Sequence, residues 1–387
     1  MRLIYADNNA TTQMDPEVFD EMRPFFVERF GNPSSVHRFG NDVNADVERA
    51  RERVAACLGA SHASEIIFTS CGTESDNTAI RSALQSRSGR NRIVTTRVEH
   101  PAVLTLADRL KREGAQVTLL SVDKKGQIDL DEMRRVMGPD VAVVSMMTAN
   151  NETGTIFPIE DAADIAHEQG ALFHTDAVQA VGKVPLNMSD SGVDLLSLSG
   201  HKLHAPKGVG ALYVRRGRRF RPFMLGGHQE RGRRGGTHNV PGIVALGKAC
   251  ELSTMHLDDE QKRVRALRDR LEAGLLKVEA TRLNGDPTHR LPGTCNISFK
   301  CVEGESMLMY LDQNGICASS GSACTSGSLE PSHVLRAMGV PFNFAHGSIR
   351  FSLSRFNTDE DVDTILDVMP AIITRLREIS PFDINDD

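Results

Sequence analysis

The 387-residue chain is long enough to bury a sizeable core, and 40% apolar with 25% charged residues is ordinary for a soluble globular enzyme. Its net charge of −6 argues against nucleic acid or an anionic membrane surface as the main partner. Seven cysteines, an odd count without a C-x-x-C pair, point to reduced thiols; with no signal-peptide start and no stretch near the ~20 apolar residues that span a bilayer, a cytoplasmic protein is expected.

Residues 1–15 read as a turn-rich arm carrying Asp7-Asn8-Asn9-Ala10-Thr11-Thr12. Gly31-Asn32-Pro33-Ser34-Ser35 is a loop, followed by a helical stretch over 40–57. Short apolar runs then recur at 65–69, 92–97, 117–122, 141–147, 171–175, 194–198 and 210–214. Amphipathic stretches such as 73–85, 101–113 and 160–169 separate most of them. This alternation predicts an α/β fold with a largely parallel sheet covered on both faces, and ligands beyond the carboxyl ends of its strands. After residue 250 the pattern changes. Val264, Leu267, Leu271, Leu275 and Val278 mark a one-faced helix, strands are expected near 294–299, 316–319 and 348–353, and Thr358 caps a helix over 358–378. Two domains are therefore expected: a large one over 16–250, and a smaller α+β one from 1–15 and 251–387.

Several polar constellations sit where strands end. Thr69-Ser70-Cys71-Gly72-Thr73-Glu74-Ser75 joins a strand to a helix, where backbone N–H groups and a close-fitting Gly can cup a phosphate. Taken alone it reads first as a capping box of Thr73 with Asp76; taken together with Ser199 and His201, a phosphate site is the better reading. Val98-Glu99-His100-Pro101 places a His before a helix-starting Pro, and Asn150-Asn151-Glu152-Thr153-Gly154 follows another strand, where caps and turns explain it as well as a ligand does. Asp176 ends the strand-like run into Gln179, and Lys202 ends Ser199-Gly200-His201-Lys202. A desolvated lysine has the free amine that carbonyl chemistry needs; a surface lysine at a loop start fits the four residues equally. An Asp 26 positions upstream favours the first reading, since it can keep a pyridine nitrogen protonated in pyridoxal phosphate, PLP.

Further along, five arginines in 215–221 form a basic stretch, either a solvated loop or a site for an anion. Seven of the eleven residues in 318–328 are Gly or Ser, so composition predicts a mobile, accessible setting for Cys324. The other cysteines fall in strand, helix or cap contexts and are expected to be inert. Arg350 alternates with apolar residues on a strand, and its guanidinium fork suits a carboxylate; Arg355 is the rival. His201 and His204 stand at i, i+3 without a Cys or carboxylate to complete a tetrahedral set, so no metal centre is expected.

In combination, D-N-N-A-T-T, T-S-C-G-T-E-S-D, A-N-N-E-T-G, H-T-D-A-V-Q, S-G-H-K, Q-E-R-G and S-G-S-A-C-T-S-G-S-L-E-P-S-H make nearly the whole chain resemble the cysteine desulfurases, closest to the nitrogen-fixation (NifS-like) branch. The resemblance implies a fold-type I PLP-dependent transferase with a mostly parallel seven-stranded sheet. It implies that Lys202 holds PLP, Asp176 its ring nitrogen, and Gly72, Thr73, Ser199 and His201 its phosphate, with Thr237 reaching that phosphate from a second subunit of a homodimer. Asn151 and Gln179 would bond the cofactor's O3′, and His100 would stack on the ring and shuttle protons. Arg350 and the loop residue Asn32 would meet the substrate, L-cysteine. Cys324 would take its sulfur as a persulfide, releasing L-alanine, and pass it to an iron–sulfur scaffold protein, with a transient contact of a 2Fe–2S cluster near Cys324 and nitrogenase maturation as the setting. Selenocysteine lyase or another same-fold PLP enzyme is the alternative. His238 departs from the pattern, standing where near relatives often carry Glu.

Overall fold

An uninterrupted run such as Val141-Ala142-Val143-Val144 can be a strand only where both faces of its sheet are covered. The computed structural model, which describes residues 2–320, 331–382 and 384, arranges such runs in that way. After a short β1 (Ile4–Tyr5) come β2 (Ile66–Thr69), β3 (Arg92–Thr96), β4 (Gln116–Leu120), β5 (Val141–Ser145), β6 (Leu172–Asp176), β7 (Leu195–Ser199) and β8 (Gly210–Val214). They form a seven-stranded sheet in the order β2-β8-β7-β6-β5-β3-β4. Only β8 runs against its neighbours, so the other six strands point one way. All seven predicted runs are strands of this sheet.

One face of the sheet packs Ile93, Val143, Leu195 and Leu212 against the helices Gly72–Ser86 and Pro101–Arg112. The opposite face, with Val144, Phe173 and Leu196, covers a larger cluster that reaches the helix Arg38–Leu58. The predicted helices at 40–57, 73–85, 101–113, 160–169 and 358–378 all form, and Thr358 caps the last through the Asp361 N–H.

A second sheet of β10 (Thr294–Phe299) between β9 (Thr281–Leu283) and β12 (Ser348–Ser352) is antiparallel, while β11 (Ile316–Cys317) pairs with β1 in parallel. Val264, Leu267, Leu271 and Leu275 lie in a separate core with Ile297, Phe299, Phe351 and Ile365. The helix that carries them is longer than its stripe suggests. Running unbroken over Val240–Leu275, 36 residues, it buries Ile243, Val244 and Leu246 in the first core before entering the second. Val334, Leu335 and Met338 also join the large-sheet core, from the far side of the sequence. No helix among the described residues is long and apolar enough to cross a membrane.

Candidate active site

Because β2, β3, β5, β6 and β7 point the same way, the segments after them converge on one edge of the sheet, around a cavity of about 510 Å³. Lys202 comes from the turn after β7. Its Nζ donates to the carbonyls of Asn9 at 2.6 Å and Ala10 at 2.7 Å, so the N-terminal arm holds the amine in place. Asp176, at the end of β6, accepts the Val178 N–H at 2.9 Å. Burial pushes its carboxyl up to about 6, against the pull of that N–H and of the Lys202 charge. Beneath it His174, fully enclosed, bonds Ser145 and Ser197 through its two ring nitrogens, and burial holds it down to about 3.

The helix Gly72–Ser86 starts at the cavity with no side-chain cap: Cys71 stands at the N-cap, so the capping box of Thr73 with Asp76 does not form. A side chain at Gly72 would meet Val178 Cγ2 at 2.7 Å, which is why the backbone can close in only with glycine there. Ser199 and His201 line the same end, and His201 Nδ1 pairs with Thr11 Oγ1 at 3.1 Å. Across the cavity His100 caps its own helix, accepting the Ala102 N–H on Nδ1 at 3.1 Å. A nitrogen that accepts carries no proton, so the neutral ring is protonated on Nε2. Burial, then the Lys202 charge and His333, hold His100 down to about 4, so it is neutral at physiological pH.

The two asparagines after β5 divide their work. Asn150 is consumed by the turn, giving Nδ2 to Val98 O and accepting the Glu152 and Thr153 N–H groups on Oδ1. Asn151 lines the cavity. Its carbonyl accepts Arg350 Nη1 at 3.0 Å, while Nη2 of that arginine pairs with Asp7 at 2.8 Å. Arg350 is 2% exposed, and its Nε is buried without a partner among the described residues. Arg355, the rival, does not line this cavity and is occupied by Asp15 and Glu260.

The family described as "Aminotransferase class-V" matches residues 4–365. A cysteine desulfurase of Gluconacetobacter diazotrophicus is 61% identical over 99% of this chain and 96% of its own length. The cysteine desulfurase NifS of Azotobacter vinelandii is 57% identical over 98% and 94%. A solved structure described as a NifS-like protein superposes with a TM-score of 0.91 at 40% identity, over 97% of this chain and all of that one. The chain belongs to the class-V aminotransferases, and within them to the cysteine desulfurases. Its fold is thus the fold-type I PLP transferase fold, and the family is PLP-dependent.

Set beside the family expectation, ten residues meet at the cavity: Gly72, Thr73, His100, Asn151, Asp176, Gln179, Ser199, His201, Lys202 and Arg350. Thr237 and Asn32 do not line it; both are exposed, and Asn32 Oδ1 accepts the Ser34 N–H at 2.9 Å. Cys324 lies outside the described residues. His238, the departure from the family pattern, bonds Glu230 at 2.8 Å; burial would raise that glutamate, but His238 and Arg51 outweigh it and hold it down to about 2. Sequence reasoning missed Asp76, Glu99 and Glu152, three buried carboxyls packed around the site. Glu152 lines the cavity and receives the Ser332 hydroxyl, and burial pushes it up to about 7. The signal was faint: each acid follows a strand by three to seven residues, within a motif already singled out for another residue.

Proposed function

We propose that the chain is a PLP-dependent L-cysteine desulfurase that releases L-alanine, keeps the sulfur as a persulfide on Cys324 and donates it to an iron–sulfur scaffold protein for nitrogenase maturation. The observation that carries the reading is the meeting, in one cavity, of a tethered lysine, a buried aspartate and a buried arginine with an unpartnered donor. Lys202 would tether PLP, Asp176 would hold its ring nitrogen, and Asn151 and Gln179 its ring oxygen. The uncapped helix start at Gly72 and Thr73, with Ser199 and His201, suits its phosphate. Bound there, PLP supplies an electron sink for the pair left on the substrate Cα.

The chain's own residues then have distinct tasks. Arg350 orients the substrate's α-carboxylate. Lys202, with its amine free, would take the Cα proton. His100, neutral and protonated on Nε2, assists the proton transfers. The Cys324 thiolate attacks the substrate Sγ: an S–S bond forms, the Sγ–Cβ bond breaks, and its electron pair stays on carbon, which accepts a proton to become the methyl of alanine, while the proton held by Lys202 returns to Cα. Asn32, exposed and outside the cavity, is assigned no step.

A homodimer is part of the proposal, with Thr237 serving the partner's phosphate site. Phe26, Val27, Phe30 and Val36 support it, since exposed apolar groups gathered in one segment suit a second copy. The domain division at 16–250 against 1–15 with 251–387, and a cytoplasmic location, accompany this reading.

The test is cysteine turnover, assayed for sulfide and alanine in wild type and Cys324→Ala. The variant should keep the visible band that PLP gives on binding and lose both persulfide and sulfide release. Lys202→Ala should lose the band. A protein left colourless by PLP, or a Cys324→Ala variant releasing sulfur at the wild-type rate, overturns the proposal; turnover of selenocysteine alone would favour the lyase.

A further inference from the structure

Lys183 is absent from every motif singled out in the sequence, yet it is tied to the cavity wall. Its Nζ donates to Gln179 Oε1 at 2.9 Å. The other end of the same amide, Nε2, donates to the carbonyl of Asn9 at 2.9 Å. That carbonyl also receives Lys202 Nζ at 2.6 Å. Asn9 is itself pinned, giving Nδ2 to Asn151 O at 3.1 Å and to Thr294 Oγ1 at 2.9 Å.

The orientation of a glutamine amide is usually open, because its oxygen and nitrogen are interchangeable in shape. Here both ends are dictated. A lysine amine has an N–H to give in either protonation state, and a carbonyl can only accept. Gln179 lines the cavity, and this orientation leaves it a second N–H, a donor. The charges facing Lys183 are Lys202 and Arg350, which repel it, and Glu260, which attracts it; burial and the Lys202 charge hold its ammonium down to about 7. A lysine kept so close to two other cations must earn its place through what it fixes.

We propose that Lys183 is a positioning residue: by locking the Gln179 amide, it presents an N–H rather than a carbonyl oxygen to the phenolic oxygen of bound PLP. The inference rests on the PLP reading above. A donor at that oxygen favours its charged form, so the pH midpoint of the cofactor's visible absorbance change is lowered while the lock holds. Without Lys183 only the Asn9 carbonyl holds the amide, and whenever it turns an acceptor faces an anion.

The experiment is a pH titration of the visible band in PLP-loaded wild type, Lys183→Met, Lys183→Arg, Gln179→Met and the Lys183→Met/Gln179→Met double variant, with the PLP dissociation constant of each. Lys183→Met and Gln179→Met should each raise the midpoint by about one unit and weaken PLP about tenfold, sizes expected for loss of one hydrogen bond to a charged group. Lys183→Arg, still a donor, should restore both. The double variant should shift no further than Gln179→Met alone, because the two residues act as one device. Additive shifts would mean that Lys183 acts by its charge, and an unmoved midpoint in Lys183→Met would mean that it does not act on the cofactor; either overturns the inference while leaving the PLP reading intact. No band in wild type would sink both. Should Lys183→Met fail to fold, Lys183→Gln, uncharged and indifferent to amide orientation, carries the same comparison.

Discussion

At His100, Glu152, His174 and Asp176 burial acts on the charge more strongly than any neighbour does, and Glu99 is the clearest case. It is fully enclosed; Oε1 accepts the Thr96 hydroxyl at 2.7 Å and the Met147 N–H at 3.1 Å, and Oε2 has no partner among the described residues. Burial, only partly offset by those two donors, pushes its carboxyl up to about 8. The folded chain therefore holds this proton more tightly than the unfolded chain, whose glutamate has its ordinary pKa of 4.5. The stability from the neutral acid is fully present below the unfolded value and is lost as pH rises through the folded one. Glu99→Gln keeps the shape without the proton. Urea unfolding of the apoprotein at pH 5, 7 and 9 should find wild type losing ground to Glu99→Gln step by step, by a few kcal/mol in all; parallel curves would refute this. None of this was legible in Val98-Glu99-His100-Pro101. The walls that bury Glu99 come from Met147, 48 positions away, and from His333, whose Nε2 donates to the Glu99 carbonyl at 3.0 Å. Lys202 and Asp176 were legible because strand ends in such a sheet are where ligands bind, whatever lies around them.

At the scale of elements, the start of the helix Gly72–Ser86 depends on one missing side chain. A Cβ on Gly72 would stand 2.7 Å from Val178 Cγ2, and Val178 is a stiff β-branched residue whose N–H is bonded to Asp176. Gly72→Ala must therefore move either the helix start or the segment that holds Asp176. PLP affinity should fall about tenfold or more, about 1.4 kcal/mol, as measured by titration of the visible band. Val178→Ala should recover much of the loss by opening the space, and failure of that rescue would place the cost elsewhere. The strands of the large sheet were legible because burial on both faces writes a continuous apolar run. The first half of Val240–Leu275 was not: Val240, Ile243, Val244, Ala245, Leu246 and Ala249 are buried nearly all round, which erases the stripe that periodicity detects. Strand β9 escaped for the opposite reason. Thr281-Arg282-Leu283 is half-buried at a sheet edge, and three residues carry no pattern.

For the whole molecule, the question is whether one chain holds a complete site. Thr237 is exposed and apart from the cavity, yet its segment is not loose: Arg234 forks onto Glu74 at 2.8 and 3.1 Å, fastening this stretch to the helix that starts at Gly72. If a second copy supplies Thr237 to the phosphate, a carboxylate there would repel the cofactor in the partner's site while sparing its own chain's Lys202. Thr237→Glu homodimers should then bind PLP poorly, and Lys202→Ala homodimers should not turn over at all. Mixed dimers behave differently. One of their two sites combines an intact Lys202 with an intact Thr237, and the other carries both defects. Random exchange of equal amounts makes half of the dimers mixed, each with one working site, so about a quarter of wild-type turnover should return from two nearly inactive proteins. A light-scattering mass near twice 42.4 kDa is the accompanying expectation. If unfolding and refolding the two variants together returns no activity, the site is built within a single chain, and the role given to Thr237 falls with the shared-site dimer.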